Sequence, residues 1–155
     1  GGLSTTVDAY GFDLSVQTAF QLGGYVDDSY YASLMHGGEY GQNWHKDIFK
    51  RWTTTNTVTD VPRVQASTQS ISESSDRWLT SASYLSLRNI TLGYTFPKKW
   101  LNKAKIRTFR VYVVGDNLAL LSARKGLDPR QSFSGETGYS YSAMTTVSGG
   151  ITLGF

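Results

Sequence analysis

The sequence predicts an all-β protein, the class in which strands rather than helices build the fold. Its 155 residues include 16 Gly, 10 Tyr, 7 Phe and 4 Trp, but only 3 Pro and no Cys. Aromatic, β-branched and small polar residues favour strands, whereas the residues that build helical surfaces are scarce. Several segments also alternate apolar and polar residues with a period of two, the pattern of a strand with two different faces.

The first 26 residues predict a β-hairpin. Residues 2–9 alternate, Tyr10 and Gly11 lie where a tight turn is needed, and residues 12–26 alternate again. A soluble strand usually has about five to six residues, so the length of the second run is typical of a strand that crosses a membrane. One parity of this strand holds the side chains expected to face lipid: Phe12, Leu14, Val16, Phe20 and Leu22.

Residues 27–82 lose the alternation, and their length predicts a functional loop rather than a simple connection. Trp44, Ile48 and Trp52 lie four apart, a spacing that allows a short helix. The loop's aromatic side chains suit stacking on sugar rings or contact with peptide. The alternative is that they form a small core of the loop itself or dock on a partner protein. The candidate contact residues are Tyr40, Trp44, Arg51 and Trp52.

Three further strands are predicted at residues 83–96, 107–121 and 144–155, with a second Gly- and Ser-rich loop at residues 122–142. The total is about five antiparallel strands, with short turns at one end and long loops at the other. Outer-membrane barrels have this asymmetry. Five open strands would leave backbone groups unpaired in lipid, so the remaining strands are expected on other parts of the protein.

Two of these strands carry further signals. Leu87 and Ile90 lie on opposite parities of the 83–96 strand, and a β-bulge near Arg88 and Asn89 would place both on one face. In the last strand, the residues expected to face lipid are Ile151 and Leu153, and the final aromatic residue is Phe155.

The composition of the chain excludes several kinds of site and of membrane segment. Without Cys, disulfides and thiolate chemistry are excluded. No apolar run is long enough for a transmembrane helix. The first residues carry no signal peptide, which leaves open a cytosolic chain or one whose start has been removed. Residues 97–110 hold six Lys or Arg and no acid, but a solvated turn is favoured over a site for nucleic acid or phosphate.

No catalytic, metal or cofactor site is predicted. His36 and His45, with Glu39 and Asp47 nearby, match no zinc spacing. Asp116 and Asp128 are the two acids considered for glycosidase chemistry, and structural roles are favoured for both. The chain is therefore not expected to be an enzyme.

Particular strings resemble the C-terminal region of the SusC/RagA family of TonB-dependent outer-membrane transporters. They are DIFKRWTTTNTVTDVPRV (47–64), SYLSLRNITLGYTFPKKW (83–100), RVYVVGDNLALLS (110–122), KGLDPR (125–130) and GITLGF (150–155), and GGLSTTVDAYGFDLSVQTAFQLGG (1–24) is similar to the preceding hairpin. They occur in the family's order over nearly the whole chain.

The resemblance implies the closing strands of a 22-stranded transmembrane β-barrel in the outer membrane of a Gram-negative bacterium. It also implies a plug domain inside the barrel, a SusD-like surface lipoprotein as a lid, and energy supplied through TonB, all outside these residues. The imported nutrient would be an oligosaccharide or a peptide, and the loops at 27–82 and 122–142 would be extracellular. Phe155 resembles the terminal aromatic signal for barrel assembly.

A different class of protein fits the same pattern: a soluble carbohydrate-binding β-sandwich with an aromatic loop rim. The two hypotheses differ in the fate of the apolar strand face. A sandwich would bury Phe12, Leu14 and Phe20 against a second sheet, whereas a barrel would expose them to lipid.

Overall fold

The computed structural model describes residues 1–38, 40–65, 73–102, 106–131, 134–137 and 140–155. The chain divides into two compact units. The sheet unit contains residues 1–23, 82–126 and 142–155, and the loop unit contains residues 24–81 and 127–141. Within the described part of the chain, no helix has the length and apolar character to cross a membrane.

The expectation of an all-β protein with antiparallel strands is confirmed. In chain order the strands are β1 (Gly2–Ala9), β2 (Phe12–Gln21), β3 (Tyr25–Asp27), β4 (Leu79–Ser81), β5 (Tyr84–Thr95), β6 (Thr108–Ser122) and β7 (Thr146–Gly154). Two short α-helices are α1 (Ser29–Ser33) and α2 (Lys98–Leu101). The sheet unit is a five-stranded sheet in the order β1-β2-β5-β6-β7, and its neighbouring strands are all antiparallel.

The predicted bulge is present in β5. Gln17 of β2 pairs with Asn89, but the next residue, Thr18, pairs with Leu87, so Arg88 has no ladder partner in β2. This extra residue shifts the parity of β5 by one. As a result, Leu87 and Ile90 lie on the same face of the sheet.

The second strand is shorter than predicted. β2 ends at Gln21, whereas the alternation predicts a strand through residue 26. Gly23 and Gly24 both have φ of +81°, a left-handed conformation that breaks an extended strand and that glycine adopts at little cost. The chain then forms β3, which pairs with β4 in a separate two-stranded sheet. Leu22, predicted to face lipid, lies beyond the end of β2 and is exposed.

The five-stranded sheet has one apolar and one polar face. Cross-strand pairing aligns Leu14 with Val7 and with Leu92, and Leu92 in turn with Val113. Phe12, Phe20 and Ile151 also lie on this face and are exposed. Among the described residues of the sheet unit, no second sheet covers these side chains. A β-sandwich requires this face to be buried against a second sheet. The β-sandwich alternative is therefore wrong.

The loop unit, in contrast, has a hydrophobic core. Its buried cluster consists of Ala32, Met35, Ile48, Val61 and Trp78, with Tyr31 and Val64 packed against it. Tyr31 and Ala32 lie in α1, Ile48 lies in a 3₁₀ helix at Lys46–Lys50, and Trp78 ends a second one at Asp76–Trp78. The other three, Met35, Val61 and Val64, lie in the connecting segments. The short helix predicted around Trp44 to Trp52 is thus a 3₁₀ helix of five residues, Lys46–Lys50. The helix α1 was not predicted from the sequence pattern.

The two predicted loops fold as one unit. The backbone N–H of Asp27 donates to the carbonyl of Gly135 at 2.7 Å, and that of Thr137 donates to the carbonyl of Asp27 at 2.8 Å. The Thr137 hydroxyl also donates to the Asp27 carbonyl at 3.1 Å. These bonds attach residues 134–137 of the second loop to β3 of the first.

Candidate functional site

An ion pair crosses the polar face of the sheet. Arg110 of β6 donates from Nε to Asp13 Oδ1 of β2 at 3.0 Å, and from Nη2 to Asp13 Oδ2. A paired fork of this kind is the stronger geometry for a guanidinium and a carboxylate. β5 lies between the two strands, so the pair ties three strands together.

Gly93 of β5 makes this bridge possible. A Cβ atom built on Gly93 would lie 2.5 Å from Arg110 Nη2 and from both Asp13 carboxylate oxygens. Any larger residue would therefore push the two side chains apart. Local sequence pattern does not reveal this group, although opposite charges on the polar parity of two predicted strands are a usable signal.

Tyr112 continues the polar face beside the ion pair. The Arg110 guanidinium carbon lies 4.9 Å from the centre of the Tyr112 ring. The ring extends over Gly150 of β7, where a Cβ would lie 2.4 Å from the phenol oxygen. Glycine on the neighbouring strand therefore provides the space in which the tyrosine ring lies flat against the sheet.

Further along this face, Asn89 donates from Nδ2 to Asp116 Oδ1 at 2.7 Å, and Thr91 donates to Asn89 Oδ1 at 3.1 Å. Asp116 is thus held by an amide rather than paired with a second carboxylate, consistent with its expected structural role. Side chains that hydrogen-bond along a face suit contact with water or with a polar domain, but not with hydrocarbon.

The predicted contact residues all lie in the loop unit, in different settings. Tyr40 is fully exposed, and Trp44 and Trp52 are partly exposed. Trp44 Nε1 donates to the His36 carbonyl at 3.1 Å. Arg51 Nη1 donates to the Ile48 carbonyl at 3.3 Å, so its guanidinium braces the 3₁₀ turn. These contacts fix the positions of Trp44 and Arg51, while the Tyr40 ring is fully available to a ligand or partner.

A polar network lies next to the loop core. Tyr31 donates to Asp47 Oδ2 at 3.0 Å, and Lys50 Nζ lies 3.1 Å from Asp47 Oδ1. Burial, with the hydrogen bond to Asp47, raises the pKa of Tyr31 to about 12. The hydrogen bond from Lys50 lowers the pKa of Asp47 below its usual value.

The GLDPR string forms a local fork. Asp128 is buried, and Arg130 donates to it from Nε and Nη2, each at 2.8 Å. The backbone N–H of Arg130 also donates to Asp128 Oδ1 at 3.0 Å. Asp128 thus shapes the loop, the role expected from the sequence.

The two histidines also make local contacts. His36 Nδ1 accepts from the Gly38 N–H at 3.1 Å, and His45 Nδ1 accepts from the Asp47 N–H at 3.2 Å. Glu39, considered beside them, lies outside the described residues. Within the described part of the chain, no group of three or more His, Asp or Glu is arranged to hold a metal ion.

Comparisons with known proteins identify the kind of protein. No family model matches the chain. TonB-dependent receptor P3 of Formosa agariphila is 31% identical over 122 residues, which cover 79% of this chain and 12% of the relative. TonB-dependent receptor SusC of Bacteroides thetaiotaomicron is 30% identical over 159 residues, covering 99% of this chain and 15% of the relative.

Comparison with solved structures points to the same kind of protein. The RagAB peptide importer in its open-open state matches with a TM-score of 0.83 at 29% identity, over 100% of this chain and 17% of that chain. A structure of the RagAB peptide transporter matches with a TM-score of 0.77 at 28% identity, over 92% of this chain and 15% of that chain. The expectation that the chain is not an enzyme agrees with relatives that are receptors and importers.

The chain thus spans 12% and 15% of the length of these two curated relatives. Its open five-stranded sheet is what a segment of a larger barrel would contribute. The similarity to SusC and to the RagAB structures extends over nearly all of its residues. The chain belongs to the SusC/RagA type of TonB-dependent receptors, as a segment of the barrel.

Proposed function

We propose that this segment forms part of the barrel wall of an outer-membrane importer that takes up nutrient oligosaccharides or peptides. The observation that carries the proposal is the two-faced sheet. Its apolar face, which includes Leu14, Val16 and Leu153, is suited to lipid. Its polar face, with Asp13, Arg110 and Tyr112, is suited to a water-filled lumen or a plug domain.

In this arrangement, both edges of the sheet pair with other strands of the same protein. β1 and β7 are the edge strands, and their unpaired backbone groups are tolerated in lipid only if the barrel closes around them. Phe155 follows β7 as an exposed aromatic residue, which fits a signal for barrel assembly.

The loops at residues 27–82 and 122–142 would lie outside the cell. Tyr40, Trp44, Arg51 and Trp52 are then available to nutrient or to a SusD-like lipoprotein lid. An exposed aromatic ring supplies a large contact area to a sugar ring or a peptide side chain. TonB would act through other parts of the protein.

The test is purification of the full-length receptor from outer membranes in detergent, followed by intact mass analysis of everything that remains bound. The proposal predicts a large barrel protein that carries a surface lipoprotein and an oligosaccharide or peptide of defined mass. Recovery of the receptor in the soluble fraction, with no lipoprotein and no nutrient, would contradict it.

A further inference from the structure

A continuous row of aromatic rings crosses the sheet unit at its short-turn end. Ring centres are 4.6 Å apart for Phe12 and Tyr94, 5.0 Å for Tyr94 and Phe96, and 4.7 Å for Phe96 and Phe109. Trp100 of α2 extends the row at 6.2 Å from Phe96. Phe12, Tyr94 and Phe109 belong to the apolar face by their cross-strand pairing. This is the arrangement of rings at the boundary between hydrocarbon and headgroups.

Unpaired positive charge adjoins this row. Lys98 and Lys99 precede Trp100 in α2, and Arg107 lies just before β6; all three are exposed. Among the described residues, no acidic side chain pairs with any of them. Arg110, in contrast, is already neutralised by Asp13. The cations beside the row are therefore available to an external anion.

We infer that this end of the sheet, with Lys98, Lys99, Arg107 and Trp100, is a binding surface for anionic phospholipid. The inference rests on the proposed position of the sheet in a membrane. Trp100, 67% exposed, would lie among the headgroups, where an indole ring is stabilised by its mixed apolar and polar character. The cations would then lie at the depth of the lipid phosphates.

Phospholipid fits this surface better than free phosphate does. Lys98 and Lys99 are on the surface of a four-residue helix, and they do not enclose a small anion. A lipid offers acyl chains to the aromatic row as well as a phosphate to the lysines. Each basic residue near an anionic membrane surface adds attraction that falls off within a Debye length.

The experiment is native mass spectrometry of the full-length receptor with an equimolar mixture of phosphatidylglycerol and phosphatidylethanolamine. Wild-type protein should retain phosphatidylglycerol preferentially. The double variant K98Q/K99Q should lose that preference by on the order of tenfold. W100A should weaken retention of both lipids, because the ring contacts do not depend on headgroup charge.

Two matched controls separate charge from fold. K98R/K99R keeps both charges and should keep the preference. K125Q removes an exposed cation beyond the other end of β6; the 15 residues of β6 span roughly 50 Å, so the preference should not change. Excess inorganic phosphate should not displace the lipid, whereas displacement would assign the surface to the free anion.

Equal retention of the two lipids by the wild type, or an unchanged preference in K98Q/K99Q, would overturn the inference. Failure of the proposed function looks different. In that case the receptor would stay monodisperse without detergent and retain neither lipid.

Discussion

The two units of this chain place their apolar side chains in opposite ways. The loop unit buries Met35, Ile48 and Trp78 in a core of its own. The sheet unit leaves Phe12, Leu14 and Leu92 exposed along one face. A domain folded in water would be expected to bury an apolar face of this size. The loop unit therefore has the burial pattern of a protein folded in water, whereas the exposed apolar face of the sheet unit is the pattern expected of a barrel wall in lipid.

The two units also differ in where their polar contacts lie. In the sheet unit, the ion pair of Asp13 and Arg110 lies on one face only, with Asn89 and Asp116 further along it. In the loop unit, the network of Tyr31, Asp47 and Lys50 lies around the core and closes the loop onto itself. Polar bonds thus line one face of the sheet in the first unit, whereas in the second they join residues of a single loop, 16 apart in sequence for Tyr31 and Asp47.

Removing the largest core side chain of the loop unit should have the largest effect. Trp78 is 2% exposed and its Nε1 donates to the Glu73 carbonyl at 2.8 Å, so W78A should destabilise the loop unit by about 3–5 kcal/mol. Hydrogen exchange and limited proteolysis of residues 24–81 in the full-length receptor measure the effect. F49A is the control, because Phe49 is 81% exposed and its truncation should change little. Equal protection in both variants would show that the core does not hold the loop together.

A charge on the apolar face of the sheet should have the next largest effect. L14R should cost about 2–4 kcal/mol in free energy of unfolding if the face meets hydrocarbon near the middle of a bilayer. S15R, one position along on the polar face, should cost much less. Unfolding by urea in lipid vesicles measures both variants. A cost within about 0.5 kcal/mol for L14R is the result expected of an ordinary water-exposed position, and it would contradict the account.

The ion pair on the polar face should contribute a smaller amount. D13N and G93A should each destabilise the sheet by less than L14R does, since both disrupt the fork to Arg110. The double variant should cost less than the sum, because the second change has no pair left to break. Urea unfolding of the two single variants and the double variant gives the coupling directly. Additive losses would show that Gly93 does not act through the ion pair.

The smallest effect should be the loss of loop-unit stability at low pH. The pKa of Asp47 is lowered in the folded state, so its contribution is present above the ordinary carboxyl value of about 3.9 and is lost as the pH falls through the lower folded value. Proteolytic protection of residues 24–81 should therefore decrease below about pH 4. K50Q removes the main cause of the shift and should flatten this decrease. An unchanged pH profile in K50Q would remove Lys50 from the explanation.

The sequence predicted the sheet better than the loop unit, for a physical reason. A strand with one apolar and one polar face alternates residue by residue, so β1 and β2 are visible in the local pattern, and the bulge appears as a change of parity at Arg88. The end of β2 was missed because Val26 keeps the alternation. Its side chain is buried in the loop unit, and only the backbone at Gly23 and Gly24 reveals the break.

The loop core and the ion pair of Asp13 and Arg110 depend on contacts between residues that are distant in sequence. Met35, Ile48 and Trp78 converge from three separate segments without any shared period, and local pattern cannot pair them. Asp13 and Arg110 are 97 residues apart, so their bond requires the strand order to be known first. Gly93 gains its role only when β5 is placed between them.

The direction in which β2 presents its two faces tests the account most directly. Single cysteines would replace Leu14, Val16, Ser15 or Gln17 in the full-length receptor, reconstituted in vesicles that contain brominated lipid. In one preparation each cysteine carries a fluorophore, and in a second its thiol is left free. The segment itself adds no competing cysteine. We predict strong quenching by lipid at 14 and 16, and reaction with water-soluble maleimide at 15 and 17. Uniform quenching, or uniform protection from lipid, at all four positions would contradict a wall with lipid on one side and a polar interior on the other.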